Sequence, residues 1–171
     1  MRRSIWMGIA ALAVSTAACS SGASSSGSIP ATRPFPTVEH ATDLSVEPVI
    51  GPGAAPAPTA LKVKDLVVGT GKTATKSTTV TVQYVGTHYP TGKVFDASWR
   101  DAAYQQTDPK GITFALTGVV PGFALGIEGM KVGGRREMVI PPALGYGTQG
   151  SPPVIQPYET LVFVVDLTAV S

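Results

Sequence analysis

The stretch Thr79-Val-Thr-Val-Gln-Tyr-Val-Gly-Thr-His-Tyr89 carries the clearest strand signal in this chain of 171 residues. Val80, Val82 and Tyr84 stand at every second position, and the residues between them are polar. Such period-two alternation predicts a β-strand with one buried, apolar face. Pro90-Thr-Gly92 follows directly and predicts a tight turn, because proline and glycine favour turn geometry.

Further apolar segments on both sides of this strand predict a sheet. They are Leu61–Val68, Val94–Ala97, Ile112–Leu116, Arg135–Ile140 and Thr160–Val170. Helical character is confined to Gly122–Met130, where Phe123, Ile127 and Met130 recur at spacings of four and three residues. Hairpin connections between several strands favour an antiparallel arrangement. We therefore expect an α+β domain, with an antiparallel five- to six-stranded sheet wrapped around one short helix.

The composition of the chain changes near residue 60. Serine, glycine, alanine and proline dominate residues 19–60, and such a segment buries too little apolar surface to offset its ordering entropy. This predicts a flexible tether, followed by a single domain over residues 61–171. Apolar residues interrupt the tether, and the sequence leaves open whether they dock on the domain. They are Phe35, Val38, Leu44, Val46, Val49 and Ile50.

The N-terminus has the layout of a secretory signal. Arg2 and Arg3 precede the mostly apolar run Ile5–Val14, which is shorter than the about 20 residues of a membrane span. Thr16-Ala-Ala-Cys19 comes next and resembles the lipobox of bacterial lipoproteins, in which the cysteine is acylated, for example with palmitate. The resemblance implies a signal peptide over residues 1–18 and a membrane anchor at the cysteine. An ordinary signal peptide with an incidental cysteine is the alternative.

The charge of the chain argues against nucleic acid as a partner. There are 13 basic and 11 acidic residues, and Arg2 and Arg3 lie in the signal segment. The remainder is near neutral, and Arg135-Arg136 is too small a basic patch for nucleic acid.

The sequence predicts no metal and no other cofactor. His40 and His88 are isolated from each other and from other ligand-type residues. Gly71-Lys-Thr73 ends like a phosphate loop, but Leu66 stands where that motif needs its first glycine. An acidic pair of Asp96 and Asp101 for sugar hydrolysis has no further support in the sequence.

Six segments, in order along residues 61–171, resemble the FKBP-type peptidyl-prolyl cis-trans isomerases. They are Val82-Gln-Tyr-Val-Gly86, Thr91-Gly-Lys-Val-Phe-Asp-Ala-Ser98, Phe114-Ala-Leu116 with Val119-Val-Pro-Gly-Phe123, Gly126-Ile-Glu-Gly-Met-Lys-Val-Gly-Gly134, Ile140-Pro-Pro-Ala-Leu-Gly-Tyr-Gly147 and Ile155-Gln-Pro-Tyr-Glu-Thr-Leu-Val-Phe163. Each is weak alone, but their order and spacing identify the domain as a member of this family. The resemblance implies the FKBP-like fold, proline-containing polypeptides as substrates and macrolides as inhibitors.

The resemblance also implies the residues of a substrate pocket. Tyr84, Asp96 and Tyr146 are expected to be catalytic: Asp96 meets the Tyr84 hydroxyl, and the Tyr146 hydroxyl holds a substrate carbonyl. The backbone amide of Val120 is expected to hold a carbonyl as well. The substrate-binding walls and floor are expected to comprise Phe95, Ile112, Val119, Val120, Phe123, Ile155 and Phe163.

Four features depart from the usual family pattern, one of which is Trp99 with the loop to Lys110. Phe123 stands where the family usually has tryptophan at the pocket floor. The connection Thr117-Gly118 is shorter than is common, and Ser151-Pro-Pro153 replaces a more typical His-Pro-Gly. We expect retained but altered activity, with peptide preference and macrolide affinity left open.

The chemistry of this reaction needs no nucleophile or metal. An X-Pro bond exchanges in tens of seconds unaided, so a typical turnover requires roughly a hundred- to thousandfold acceleration, or about 3–4 kcal/mol. A dry aromatic pocket supplies this by removing water from the charged amide oxygen and favouring the twisted amide.

The sequence therefore predicts a monomeric, lipid-anchored isomerase on the extracytoplasmic face of the cell membrane, where it assists the folding of exported proteins. The alternative is a binding module or chaperone with the same fold and little turnover.

Overall fold

An antiparallel sheet forms the centre of the structure. The computed structural model describes residues 33–100 and 111–171, which lie within the compact unit Thr32–Ser171. In chain order the strands are β1 (Val38–Glu39), β2 (Val49–Ile50), β3 (Lys62–Val67), β4 (Thr79–His88), β5 (Val94–Ala97), β6 (Ile112–Ala115), β7 (Gly134–Ile140) and β8 (Leu161–Val170). The first two strands pair with each other, and the other six form the large sheet.

The long strands β4 and β8 organise the large sheet. Its order is β3-β7-β8-β4-β5, and β6 also pairs with β4. β6 occupies residues 79–82 of the outer edge of β4, and β5 occupies residues 85–87 of the same edge. All of these pairs are antiparallel. The predicted α+β fold with an antiparallel sheet is confirmed.

The helix α1 (Pro121–Ile127) covers one face of this sheet. Proline at the first helical position suits the start of a helix, because its φ is already helical and its missing N–H has no helical partner. Gly126 allows close packing, since a Cβ there would lie 2.0 Å from Sδ of Met138 on β7. The helix ends earlier than predicted because the backbone at Glu128 leaves helical geometry. In the described residues, no helix is long and apolar enough to cross a bilayer.

Residues 33–60 pack on the opposite face of the sheet. Ile50 is 4% exposed, and Phe35 and Val38 pack against the same cluster. The sheet contributes Val85, Tyr89, Ala97, Val139, Val162 and Val164 to this second core. The prediction of a flexible tether is therefore wrong for residues 33–60, and the compact unit does not begin at Leu61. Ile50, Phe35 and Val38 find a sheet face on which to bury apolar surface. The other apolar residues of the segment, Leu44, Val46 and Val49, remain exposed.

A buried arginine fastens this N-terminal segment to the sheet. Arg135 on β7 is fully buried, and its Nε and Nη2 donate to the two carboxylate oxygens of Asp166 on β8 at 2.5 and 2.7 Å. Its Nη1 donates to the carbonyl of His40, and its Nη2 also donates to the carbonyl of Val46 at 3.0 Å. Burial raises the pKa of Asp166, and the hydrogen bonds from Arg135 oppose that rise. The guanidinium thus satisfies its donors only when residues 40–46 are in place.

A second buried charge on the same face is less well satisfied. Glu137 lies two residues after Arg135 on β7, is fully buried, and neither carboxylate oxygen has a hydrogen-bond partner in the described chain. Burial raises its pKa to about 7, although the positive charge of Lys64 partly opposes this. Lys64 is the residue opposite Glu137 on β3, but its ammonium lies over the Phe35 ring at 5.8 Å.

We predict that Ile50→Ala lowers the free energy of unfolding by about 2–4 kcal/mol, because truncation of a buried isoleucine loses burial and leaves a cavity. Chemical denaturation of the full chain measures this. The neighbouring Val49 is 49% exposed, so Val49→Ala is a matched control that should cost about 0.5 kcal/mol or less. Small and equal effects of both substitutions would show that residues 33–60 do not pack on the sheet.

We also predict a pH-dependent gain in stability for Glu137→Gln. The raised pKa means that the folded protein holds this proton more tightly than the unfolded chain does. The resulting stabilisation is complete below pH 4.5 and is lost as the pH rises to about 7. The glutamine variant does not titrate, so its advantage over the wild type should grow by on the order of 2 kcal/mol between pH 5 and pH 8.

Denaturation curves at both pH values test this prediction, with Glu39→Gln at an exposed position of β1 as the control. A difference between Glu137→Gln and the wild type that stays constant with pH would contradict it.

Candidate active site

A pocket of about 390 Å³ opens beside the start of α1 on the helix-covered face of the sheet. Strands β4, β5, β6 and β8 supply part of its lining, and α1, the segment before it and the segment after β7 supply the rest. The lining residues are Tyr84, Phe95, Asp96, Phe114, Gly118, Val119, Val120, Phe123, Tyr146 and Phe163.

Aromatic rings in edge-to-face contact form the floor and walls. The Phe123 ring is 5% exposed, and its centroid lies 5.1 Å from Phe163, 5.6 Å from Phe114 and 6.3 Å from Tyr84. Phe95 meets Phe163 at 5.6 Å and 88°. Such arrangements match the positive ring edge of one group to the negative face of the next. The pocket is thus an apolar cavity, and the aromatic rings that line it contact their neighbours in the lining.

A glycine on β4 makes room for two of these rings. A Cβ at Gly86 would lie 2.8 Å from both Phe163 and Phe95. Gly86 pairs with Phe163 on β8 and with Asp96 on β5, so the two walls converge over it. Any larger residue at this position would push the walls apart.

The polar side of the pocket is built on the β4–β5 pair. The Tyr84 hydroxyl donates to Oδ2 of Asp96 at 2.6 Å. Just beyond β5, the buried Ser98 Oγ accepts from the Tyr84 N–H at 2.8 Å and donates to Gln83 Oε1 at 2.5 Å. Tyr84 is therefore held at its backbone and at its hydroxyl, which fixes the carboxylate of Asp96 at the pocket edge.

Two further hydrogen-bonding groups reach the pocket without partners in residues 33–100 and 111–171. The N–H of Val120 immediately precedes α1 and donates to no group in that part of the chain. The Tyr146 hydroxyl likewise has no partner there, and the side chain is 38% exposed. Tyr146 lies in the turn that follows a short 3-10 helix, Pro142–Leu144. These groups are available to a ligand.

The structure gathers eight of the ten predicted pocket residues around one cavity. They are Tyr84, Phe95, Asp96, Val119, Val120, Phe123, Tyr146 and Phe163. Ile112 and Ile155 do not line it: Ile112 packs against the main core beside β4, and Ile155 is 4% exposed within that core. Phe114 on β6 lines the pocket in place of Ile112. Residues two apart on a strand point to the same face, so the alternating pattern of β6 already indicated Phe114 as a candidate. Cys19 lies outside the described residues.

The arrangement contains no cluster of three or more His, Cys, Asp or Glu side chains able to hold a metal ion, as far as the described ranges go. A model of the family described as FKBP-type peptidyl-prolyl cis-trans isomerase matches residues 70–168. The chain belongs to this family. It is accordingly a peptidyl-prolyl cis-trans isomerase, and members of the family bind proline-containing peptides and FK506-type ligands.

Bacterial relatives share much of this FKBP sequence. An FK506-binding protein of Streptomyces anulatus is 44% identical over 120 residues, which cover 70% of this chain and 92% of that protein. A probable FK506-binding protein of Corynebacterium glutamicum is 41% identical over 121 residues, covering 71% and 96% of the two chains.

Solved structures show the same fold. FkpA from Escherichia coli is 40% identical, with a TM-score of 0.57 over 66% of this chain and 49% of that one. A peptidyl-prolyl cis-trans isomerase from Pseudomonas syringae is 32% identical, with a TM-score of 0.56 over 65% of this chain and 75% of that one.

The phenylalanine at the floor of this FKBP pocket is packed rather than loose. Phe114 presents its ring to Phe123 at 5.6 Å and 62°, and Phe163 closes the other side. The smaller floor ring therefore has aromatic neighbours in Tyr84, Phe114 and Phe163. This supports a working pocket with a different floor shape.

We predict that Tyr84→Phe lowers kcat/KM roughly three- to tenfold, the effect of losing about one hydrogen bond that orients Asp96. The measurement is a steady-state isomerisation assay on a proline-containing tetrapeptide. Tyr158→Phe is the matched control, since Tyr158 is 70% exposed and does not line the pocket. Equal activity of both variants and the wild type would remove Tyr84 and Asp96 from the site.

Proposed function

We propose that this isomerase acts by desolvating and twisting the X-Pro amide in the aromatic pocket, and that it serves exported polypeptides at the outer face of the cell membrane. The observation that carries the mechanism is a pocket of contacting aromatic rings with two hydrogen-bonding groups that have no partner within the described residues, the Val120 N–H and the Tyr146 hydroxyl.

The aromatic lining addresses the source of the rotation barrier. Amide resonance places negative charge on the carbonyl oxygen and stabilises the planar form, with a barrier of about 18–20 kcal/mol. Water stabilises that charge further. Between Phe95, Phe123 and Phe163 the prolyl group leaves water, and the less polar twisted amide becomes relatively more favourable.

The unpartnered groups hold the twisted peptide in place. The Val120 N–H and the Tyr146 hydroxyl can donate to substrate carbonyls on either side of the rotating bond. They need no reorganisation to do so, because neither has to break an existing bond within the described chain. Asp96, fixed by Tyr84, places a negative field at the same edge and polarises the amide region.

The direct test measures tetrapeptide isomerisation by the full chain, with Tyr146→Phe and Asp96→Ala as variants. We expect wild-type turnover well above background and a loss of roughly three- to tenfold in kcat/KM for each variant, since each loses one polar contact with the twisted state. Wild-type turnover at background, with a folded circular dichroism spectrum, would favour the alternative of a binding module. Unchanged activity of both variants would refute the assigned roles.

The proposed location rests on residues before the described structure. Arg2-Arg3, the apolar run Ile5–Val14 and Thr16-Ala-Ala-Cys19 together support a lipoprotein signal. A lipid on Cys19 would hold the isomerase where exported chains emerge and fold.

We predict that Cys19→Ser moves the protein from the membrane fraction to the soluble extracytoplasmic fraction. Fractionation of cells that express each form tests this, and metabolic labelling with a palmitate analogue reports the lipid directly. Ser20→Ala is the adjacent control and should stay on the membrane. Membrane retention of the Cys19→Ser protein, or the absence of label on the wild type, would contradict lipid anchoring.

A further inference from the structure

A partly buried contact between His88 and Glu159 lies beside the pocket without lining it. Nδ1 of His88, at the end of β4, is 2.6 Å from Oε1 of Glu159, which precedes β8 by two residues. The side chains are only 15% and 14% exposed. An ionised carboxylate can only accept, so the contact is a hydrogen bond in the ring tautomer that carries a proton on Nδ1. The contact therefore fixes the orientation of the imidazole ring.

The same carboxylate also organises the loop between β7 and β8. Oε2 of Glu159 accepts from the N–H of Gln156 at 2.8 Å, and the Gln156 side chain donates to the carbonyl of Pro153 at 3.3 Å. One glutamate thus ties a turn of this loop to the end of β4.

That loop carries Tyr146, whose hydroxyl lines the pocket and has no partner in residues 33–100 and 111–171. The N–H of Tyr158 donates to the carbonyl of Gly147 at 2.9 Å, and the N–H of Gly150 donates to the carbonyl of Tyr146 at 3.0 Å. The residue next to Glu159 is therefore bonded to the residue next to Tyr146. Glu159 is thus connected, through its neighbour Tyr158, to the segment that carries Tyr146.

The other partner of the contact supports a pocket wall. The His88 ring meets the Phe95 ring at 5.3 Å and 61°, and the Phe95 ring in turn contacts the Phe163 ring of the pocket wall. His88 is also bonded through its backbone to Lys93, which lies two residues before Phe95. The two members of the contact thus reach two different parts of the pocket.

We propose that His88 and Glu159 form a positioning pair that holds Phe95 and the Tyr146 loop in the substrate-binding geometry. The pair touches neither substrate nor the rotating bond, so it acts on how readily the peptide is bound. Without the pair, the loop has to become ordered when the peptide binds, which costs conformational entropy. This entropy cost weakens binding of the ground state and of the transition state equally. This inference rests on the proposed function of the pocket. It adds that the His88–Glu159 pair increases the affinity of the pocket for prolyl peptides.

The test uses His88→Ala, Glu159→Ala and the double variant in the full chain, with kcat and KM measured separately. We expect KM to rise roughly three- to tenfold in each single variant with kcat within about twofold, as for a loss of uniform binding. The double variant should be no worse than the single variants, because residues that act as one unit are not additive. Lys76→Ala is the control: it removes an exposed ion pair with Glu128 at 3.9 Å and should change neither constant.

Two conservative variants separate the parts of the pair. His88→Asn keeps a donor near the position of Nδ1 but removes the ring that meets Phe95, so it should recover part of the loss in KM. Glu159→Gln keeps one acceptor oxygen, and it serves as the readout if Glu159→Ala fails to fold.

Three results would overturn the proposal. An unchanged KM with a lowered denaturation midpoint would make the pair a stabiliser of the fold only. Additive effects of the two alanine substitutions would show that the residues act separately. A fall in kcat at constant KM would place the pair in the rotation step. If the wild type binds the tetrapeptide without turnover, the proposed function fails, and the dissociation constant by calorimetry then replaces KM as the readout for the pair.

Discussion

The structure depends on one constraint: the central strands of the sheet are apolar on both faces. Along β8, Phe163, Val165 and Leu167 face the helix, and Val162 and Val164 face the other way, all nearly inaccessible to solvent. A seven-residue helix covers one face only. The second face has to be covered by something else, and residues 33–60 do so with a small two-stranded sheet and the side chains around it.

The pocket is a place where the helix-side core stays open. Tyr84, Phe123 and Phe163 belong both to that core and to the pocket lining. Their positions are therefore set by folding, before any substrate arrives, and the low polarity needed for amide rotation is an extension of the core. This matters energetically, because a preformed apolar wall requires no reorganisation when the prolyl group enters.

Much of this was predictable from local pattern, and the failures have physical reasons. Strong alternation and clear turn residues located the strands, and the ordered motifs located Tyr84, Asp96 and Phe163. An alternating pattern predicts which face of a strand a side chain occupies, but not how far it lies from the pocket. Ile112 and Phe114 share a face of β6, and only the pairing of β6 with β4 shows which of the two reaches the pocket. Residues 33–60 have the composition of a linker, and their burial depends on a distant surface that no local pattern describes. The sequence feature that predicts this burial lies in β8, which has valine on both faces and therefore needs a cover on each face.

The polar residues of that second face show how the N-terminal segment is coupled to the rest. Arg135 takes two of its acceptors from the segment's own carbonyls, so its burial and the docking of the segment require each other. At the far end of the same face, the Tyr89 hydroxyl donates to the carbonyl of Ala54 at 2.9 Å, and the Gly53 N–H donates back to the Tyr89 carbonyl at 2.7 Å.

Tyr89 directly follows His88, whose ring supports Phe95. The hydrogen bonds with Ala54 and Gly53 therefore hold Tyr89 next to the end of β4, where His88 contacts a wall of the pocket. Through Tyr89 and His88, the segment on the second face is thus connected to a wall of the pocket on the opposite side of the sheet.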